Sequence, residues 1–96
     1  MSNLRKLARG RDCQVRLEGI CNFDNETTVL AHYRLGGTCG MGIKPHDLLG
    51  AWACSSCHDE IDRRTRIVDA DFAALAHLEG VVRTLANLIK MGVVNV

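Results

Sequence analysis

The sequence predicts an α+β domain: a small zinc-stabilised core closed by a C-terminal packing helix. Three observations carry this. Cys54 and Cys57 stand two residues apart, directly before a stretch able to form a helix. Two short segments, Cys13–Leu17 and Thr27–Tyr33, have the alternation or β-branching of strands. Beyond Asp69, apolar residues recur at helical spacing.

Taken in order, residues 1–10 read as a basic N-terminal arm that can form a short helix. Cys13–Leu17 alternates apolar and polar residues and is expected to be a strand. Gly19 to Asn25 is turn-prone and includes Cys21. Thr27–Tyr33 is expected to be a second strand carrying His32, paired with the first as a hairpin. Gly36 to Gly42 holds four glycines in seven residues around Cys39 and reads as a flexible loop. Pro45 suits a first helical turn, so Pro45–Ala53 is expected to be helical. Ser55 or Ser56 is placed to cap a helix running through His58 and Asp62 to about Thr65. Asp69 or Asp71 is placed to cap the last helix, with Phe72, Leu75, Ala76, Val82, Leu85 and Ile89 as its packing residues and Gly92 as its stop. His77 is expected to be an exposed or core histidine, not a ligand. No interface pattern stands out, so the oligomeric state is left open.

Ninety-six residues make one domain, near the size where a metal staple helps. An apolar fraction of 47% with nearly balanced charge describes a folded chain. No uninterrupted apolar run approaches a membrane span and no signal peptide is evident, so a cytoplasmic protein is expected. Five cysteines without a secretion signal point to thiolates and metal, not to disulfides. The net charge of +1 hides an asymmetry: Arg5, Lys6, Arg9, Arg11 and Arg16 face Asp12 alone within residues 1–16. Arg63, Arg64 and Arg66 form a second basic cluster. Both groups are candidate phosphate contacts, with a solvated surface as the competing reading.

The chemistry concentrates in Cys54-Ser-Ser-Cys-His-Asp-Glu-Ile-Asp-Arg-Arg64. A two-residue gap lets Cys54 and Cys57 grip one tetrahedral Zn²⁺. Cys13 and Cys21, seven residues apart, are the expected partners, with Cys39 the competitor for a place. A thioredoxin-like use of the CxxC would need a βαβ context that the chain lacks. On a helix, His58 and Asp62 lie one turn apart on one face and can share a second metal. One imidazole, a carboxylate and water suit Mg²⁺, Mn²⁺ or loosely held Zn²⁺. Asp59 and Glu60 are expected to face solvent.

Residues 10–16 (GRDCQVR), 30–35 (LAHYRL), 44–49 (KPHDLL) and 53–65 (ACSSCHDEIDRRT) closely resemble the YbcO family of prophage nucleases, over essentially the whole chain. That family resembles a compact branch of the HNH, or His-Me finger, endonucleases and is similar to the phage Ref nuclease, which works with a recombinase filament. The resemblance implies a ββα-metal core and cleavage of DNA, with a recombinase or replication protein as a further partner and no membrane role. His32 then occupies the general-base position and Asp47 the place of the motif asparagine. His58 and Asp62 take the helix ligand positions. Ala31 departs from the pattern, since a metal ligand often stands there, and leaves Asp47, His46, water or substrate phosphate to complete the shell. The alternative is a zinc-stabilised module that binds nucleic acid, or adapts a recombination complex, without catalysis.

Overall fold

The computed structural model describes residues 4–35 and 45–94; Cys39 and the glycine-rich segment around it lie outside these. The described elements are α1 (Leu4–Ala8), β1 (Val29–His32), β2 (Gly50–Ala53), α2 (Ser55–Ile61) and α3 (Ala70–Lys90). A small α+β fold is therefore present. Its two strands pair antiparallel, with Val29 opposite Ala53, Leu30 opposite Trp52, Ala31 opposite Ala51 and His32 opposite Gly50.

The pairing overturns two expectations. Pro45–Ala53 is not a helix: a single 3-10 turn, Asp47–Leu49, leads straight into β2. All four β2 residues are buried, because Gly-Ala-Trp-Ala offers small side chains over which α3 can lie closely; tertiary contact overrides local propensity here. Cys13–Leu17 is not a strand and does not pair with β1. It runs along the other edge of β2, where the Gln14 amide donates to the Trp52 carbonyl at 2.7 Å. The Trp52 amide on that edge is taken by Thr84 Oγ1 at 3.0 Å. Arg16 adopts a left-handed φ of 53°, which ends the extended run.

The N-terminal stretch is a packed helix, not a detached arm. Ala8 at its end is fully buried in a cluster with Trp52 and Leu88. The main core joins Cys13, Val15 and Leu17 to Ala31, Ala51 and Ala53 of the sheet and to Ala76 and Val81 of α3.

α2 starts and stops differently from expectation. Its N-cap is Cys54, whose sulfur accepts from the Cys57 amide at 3.4 Å, while Ser55 and Ser56 accept from Asn22. It ends at Ile61 with Asp62 as C-cap, and Arg63 follows at φ 63°. The chain then folds back over Glu60, which is fully buried and not solvent-facing. Thr65 Oγ1 donates to one carboxylate oxygen at 2.6 Å and the Val68 amide to the other at 2.9 Å. These bonds hold the Glu60 carboxyl below its ordinary range.

α3 is capped by Asp69, which accepts from the Asp71 amide at 3.0 Å, and Gly92 follows its end at φ 75°. Its inner face differs from the expected one. Ala73, Ala76, His77, Gly80, Val81, Thr84 and Leu88 are buried, whereas Phe72, Leu75, Val82 and Ile89 are exposed. Close approach explains the choice: a Cβ on Gly80 would sit 2.9 Å from Val15 Cγ2 and 3.1 Å from Ala51 Cβ. Only small residues fit that contact. By length and composition α3 is also apolar enough to cross a membrane, although its inner face packs on the sheet. Glu79 and Arg83 interrupt its apolar run in the sequence.

Candidate functional site

The first cluster is built from cysteines. The Cys13 and Cys21 turns and the Cys54–Cys57 start of α2 bring four sulfurs within 4.8 Å of one another. Zn–S bonds of about 2.3 Å in a tetrahedron put sulfurs about 3.8 Å apart, and Cys54 Sγ lies 3.8 Å from Cys21 Sγ. Backbone amides aim at the same atoms: Arg16 donates to Cys13 Sγ at 3.5 Å, as Cys57 does to Cys54. The positive φ at Arg16 therefore shapes the ligand turn as well as ending the extended segment.

The protonation pattern agrees with a cation site. A hydrogen bond from Cys57 lowers the Cys13 thiol to about 4, against the opposing effect of burial. The same bond, followed by burial, drives Cys57 upward. Burial raises Cys21 to about 11. Cys13 is thus the more readily deprotonated of that pair, and a soft cation would displace the protons of Cys21 and Cys57. The donor set is compatible with structural zinc.

A second group gathers around the end of β1. His32 Nε2 lies 2.7 Å from Asp47 Oδ1, and Arg5 Nε reaches the same oxygen at 3.6 Å. β1 delivers the histidine and the 3-10 turn delivers the carboxylate, fifteen residues apart in sequence. On α2, His58 Nε2 lies 3.1 Å from Asp62 Oδ2. The two side chains stand one turn apart at the end of that helix, within hydrogen-bond distance. His32 and Asp62 line the same cleft of about 330 Å³, together with Arg34, Arg63 and His77. His46 is not at the cleft; its Nδ1 accepts from the Leu48 amide at 3.0 Å and caps the 3-10 turn.

His77 is a core histidine, one of the two placements expected from the sequence, and it also lines the cleft, which the sequence did not indicate. It is buried in α3, its Nε2 donates to the Ala31 carbonyl at 2.8 Å, and its ring meets Tyr33 edge-on at 5.0 Å. Burial lowers its pKa, so it is held neutral beneath the His32 strand. The Ala73, Ala76, Gly80 and Thr84 spacing around it is the sequence signal that marks the inner face.

The candidate basic residues divide. Arg5, Lys6 and Arg9 line one exposed depression with Glu26 to Val29. Arg11 serves the fold: its Nε donates to the Leu7 carbonyl at 3.1 Å and its guanidinium covers Trp52 at 5.8 Å. Arg63 is half-buried, donating to the Val68 carbonyl at 3.1 Å while lining the cleft. Arg64 pairs with Asp59 at 3.3 Å, and Arg66 is exposed.

The family profile described as "Putative nuclease YbcO" matches residues 2–93. The chain belongs to the YbcO family. A relative of that description in Escherichia coli (strain K12) is 58% identical over 94 residues, covering 98% of each chain. A protein of Enterobacteria phage 82 with the same description matches equally well. The solved structure described as "Structure of a putative bacteriophage protein from Escherichia coli str. K-12 substr. MG1655" is also similar, at 53% identity and a TM-score of 0.82. It covers 94% of this chain, which covers all of it. The YbcO family is thus a nuclease family by name, with a phage member, and a nuclease takes nucleic acid as its substrate.

Proposed function

We propose that this YbcO-family chain is a metal-dependent endonuclease that hydrolyses DNA phosphodiester bonds, on a ββα-metal element made of β1, β2 and α2. The observation that carries the reading is the shared cleft: His32, oriented by Asp47, and Asp62, the partner of His58, both line it. His32 Nε2–H is held by Asp47, which leaves Nδ1 as the acceptor for a proton from water. His58 and Asp62 would hold Mg²⁺, Mn²⁺ or Zn²⁺, which when bound supplies charge stabilisation at the phosphoryl oxygens. Asp47 has the same charge to offer but is engaged with His32 and Arg5. Cys13, Cys21, Cys54 and Cys57 would hold structural zinc, positioning α2 against the sheet.

Arg5, Lys6, Arg9, Arg64 and Arg66 would contact the phosphate backbone, with Arg34 and Arg63 nearer the scissile bond. The phage relative supports a prophage-encoded nuclease, and with it we propose a recombination or DNA-processing role in the cytoplasm with a recombinase or replication protein as partner. Ala31 supports a second reading, a zinc-stabilised DNA-binding module. Its methyl group is buried in β1 and offers no ligand atom at that position.

The deciding experiment is cleavage of supercoiled and single-stranded DNA with Mg²⁺, Mn²⁺ and Zn²⁺, comparing wild type with His32→Ala and His58→Ala. Loss of cleavage in both variants at unchanged zinc content supports the nuclease. No cleavage by any protein, with salt-sensitive DNA binding retained, supports the second reading.

A further inference from the structure

We propose that α3 is a dimerisation element whose outer face packs against the same face of a second copy of this chain. The helix has two apolar faces. The inner one, made of small residues, is buried on β2. On the outer side, Leu75, Leu78, Val82, Leu85 and Ile89 follow one another at alternating spacings of three and four, the pattern of a coiled-coil seam. Leu75 is 55% exposed, Leu78 42%, Val82 61% and Ile89 45%, and Phe72 beside them is 54% exposed. Leu85 is partly buried at the edge of the core.

The area suits a second copy. Taking about 200 Å² for a fully exposed large side chain, the five exposed residues present roughly 500 Å². A two-fold pairing then removes roughly 1,000 Å² from water, the level at which specific interfaces begin. A patch of roughly 500 Å² per chain lies in the upper part of what a single chain leaves exposed, and patches of that size often mark interaction sites. The flanks permit close approach, since Ala74 and Ala86 border the stripe and the nearby Glu79 is paired with Arg83 at 3.7 Å. The ends favour an antiparallel arrangement. Asp69 and Asp71 stand at the N-terminus and Lys90 at the C-terminus, so antiparallel packing sets acidic against basic ends and opposes the helix dipoles. His77, which lines the cleft from α3, turns toward β1 and bonds the Ala31 carbonyl, on the side of the helix away from the seam.

The inference does not rest on the nuclease reading, because its test reads mass. Sedimentation equilibrium on the full zinc-loaded chain is expected to give twice the 10.6-kDa chain mass. Val82→Glu and, separately, Leu75→Lys should halve that mass at unchanged zinc content and helical circular dichroism; Glu18→Lys, an exposed change elsewhere, should leave it dimeric. A wild-type monomer at high micromolar concentration overturns the proposal, as does a dimer that survives both seam substitutions. A monomer that instead binds lipid vesicles through this face also overturns it.

Discussion

His32 Nε2 and Asp47 Oδ1 stand 2.7 Å apart, although fifteen residues separate them and neither lies in the same element. The contact fixes which imidazole nitrogen carries the proton and so which one is free to act as a base. His32→Ala is expected to lower DNA cleavage by about 10²–10⁴-fold, the usual contribution of a general base. Asp47→Asn keeps the shape but removes the charge that steadies the imidazolium. Its cleavage, measured by plasmid nicking, should fall less than that of His32→Ala.

The two metal sites should separate by mutation. His58→Ala is expected to abolish metal-stimulated cleavage while bound zinc, measured by atomic emission, stays at the wild-type level. Cys57→Ser should do the reverse first: zinc is lost and the protein melts at a lower temperature. Structural zinc contributes about 10–16 kcal/mol in small peptides, so loss of one thiolate in a domain of this size should weaken folding severely.

Gly80→Ala tests the closest helix–sheet contact. In an open helix the change would stabilise by up to about 1 kcal/mol. Here the new Cβ meets Val15 Cγ2 at 2.9 Å, Ala51 Cβ at 3.1 Å and the Val15 Cα at 3.2 Å. The backbone atom cannot swing aside, and overpacking costs about 1–3 kcal/mol. The net effect expected in urea unfolding is a loss of about 1 kcal/mol.

His77 should make stability depend on pH below neutrality. Burial lowers its folded pKa beneath the ordinary 6.5, so the unfolded chain binds the proton more readily. The contribution is complete above pH 6.5 and is lost as the pH falls from there through the lowered folded value. Zinc-saturated wild type should therefore lose stability between pH 7 and 5 more steeply than His77→Gln, which keeps a donor to the Ala31 carbonyl without titrating. Equal slopes in the two unfolding series would refute this role.

The Cys54–Cys57 pair and the His58–Asp62 pair were legible because their signals are local, whereas only the fold brings Cys13 and Cys21 beside Cys54 and Cys57. A CxxC gap and an i,i+4 spacing define geometry over a few residues, and charge or thiolate chemistry restricts what can stand there. The Asp69 cap and the Gly92 stop were legible for the same reason. His32 and Asp47 were linked only through the resemblance to the HNH pattern, since no local spacing joins residues fifteen apart; the structure sets their side chains 2.7 Å apart.

Tertiary structure alone decided the rest. It made Gly50–Ala53 a strand, because only pairing with β1 and cover by α3 satisfy that backbone and bury Trp52. It buried Glu60, because the amide and hydroxyl that hold it arrive from a chain reversal five to eight residues away. It also chose which side of α3 faces inward. The amino-acid sequence determined that α3 is helical with two apolar stripes; which stripe packs depended on how closely the helix can approach β2. Small residues win that contest, and the large ones are left outside.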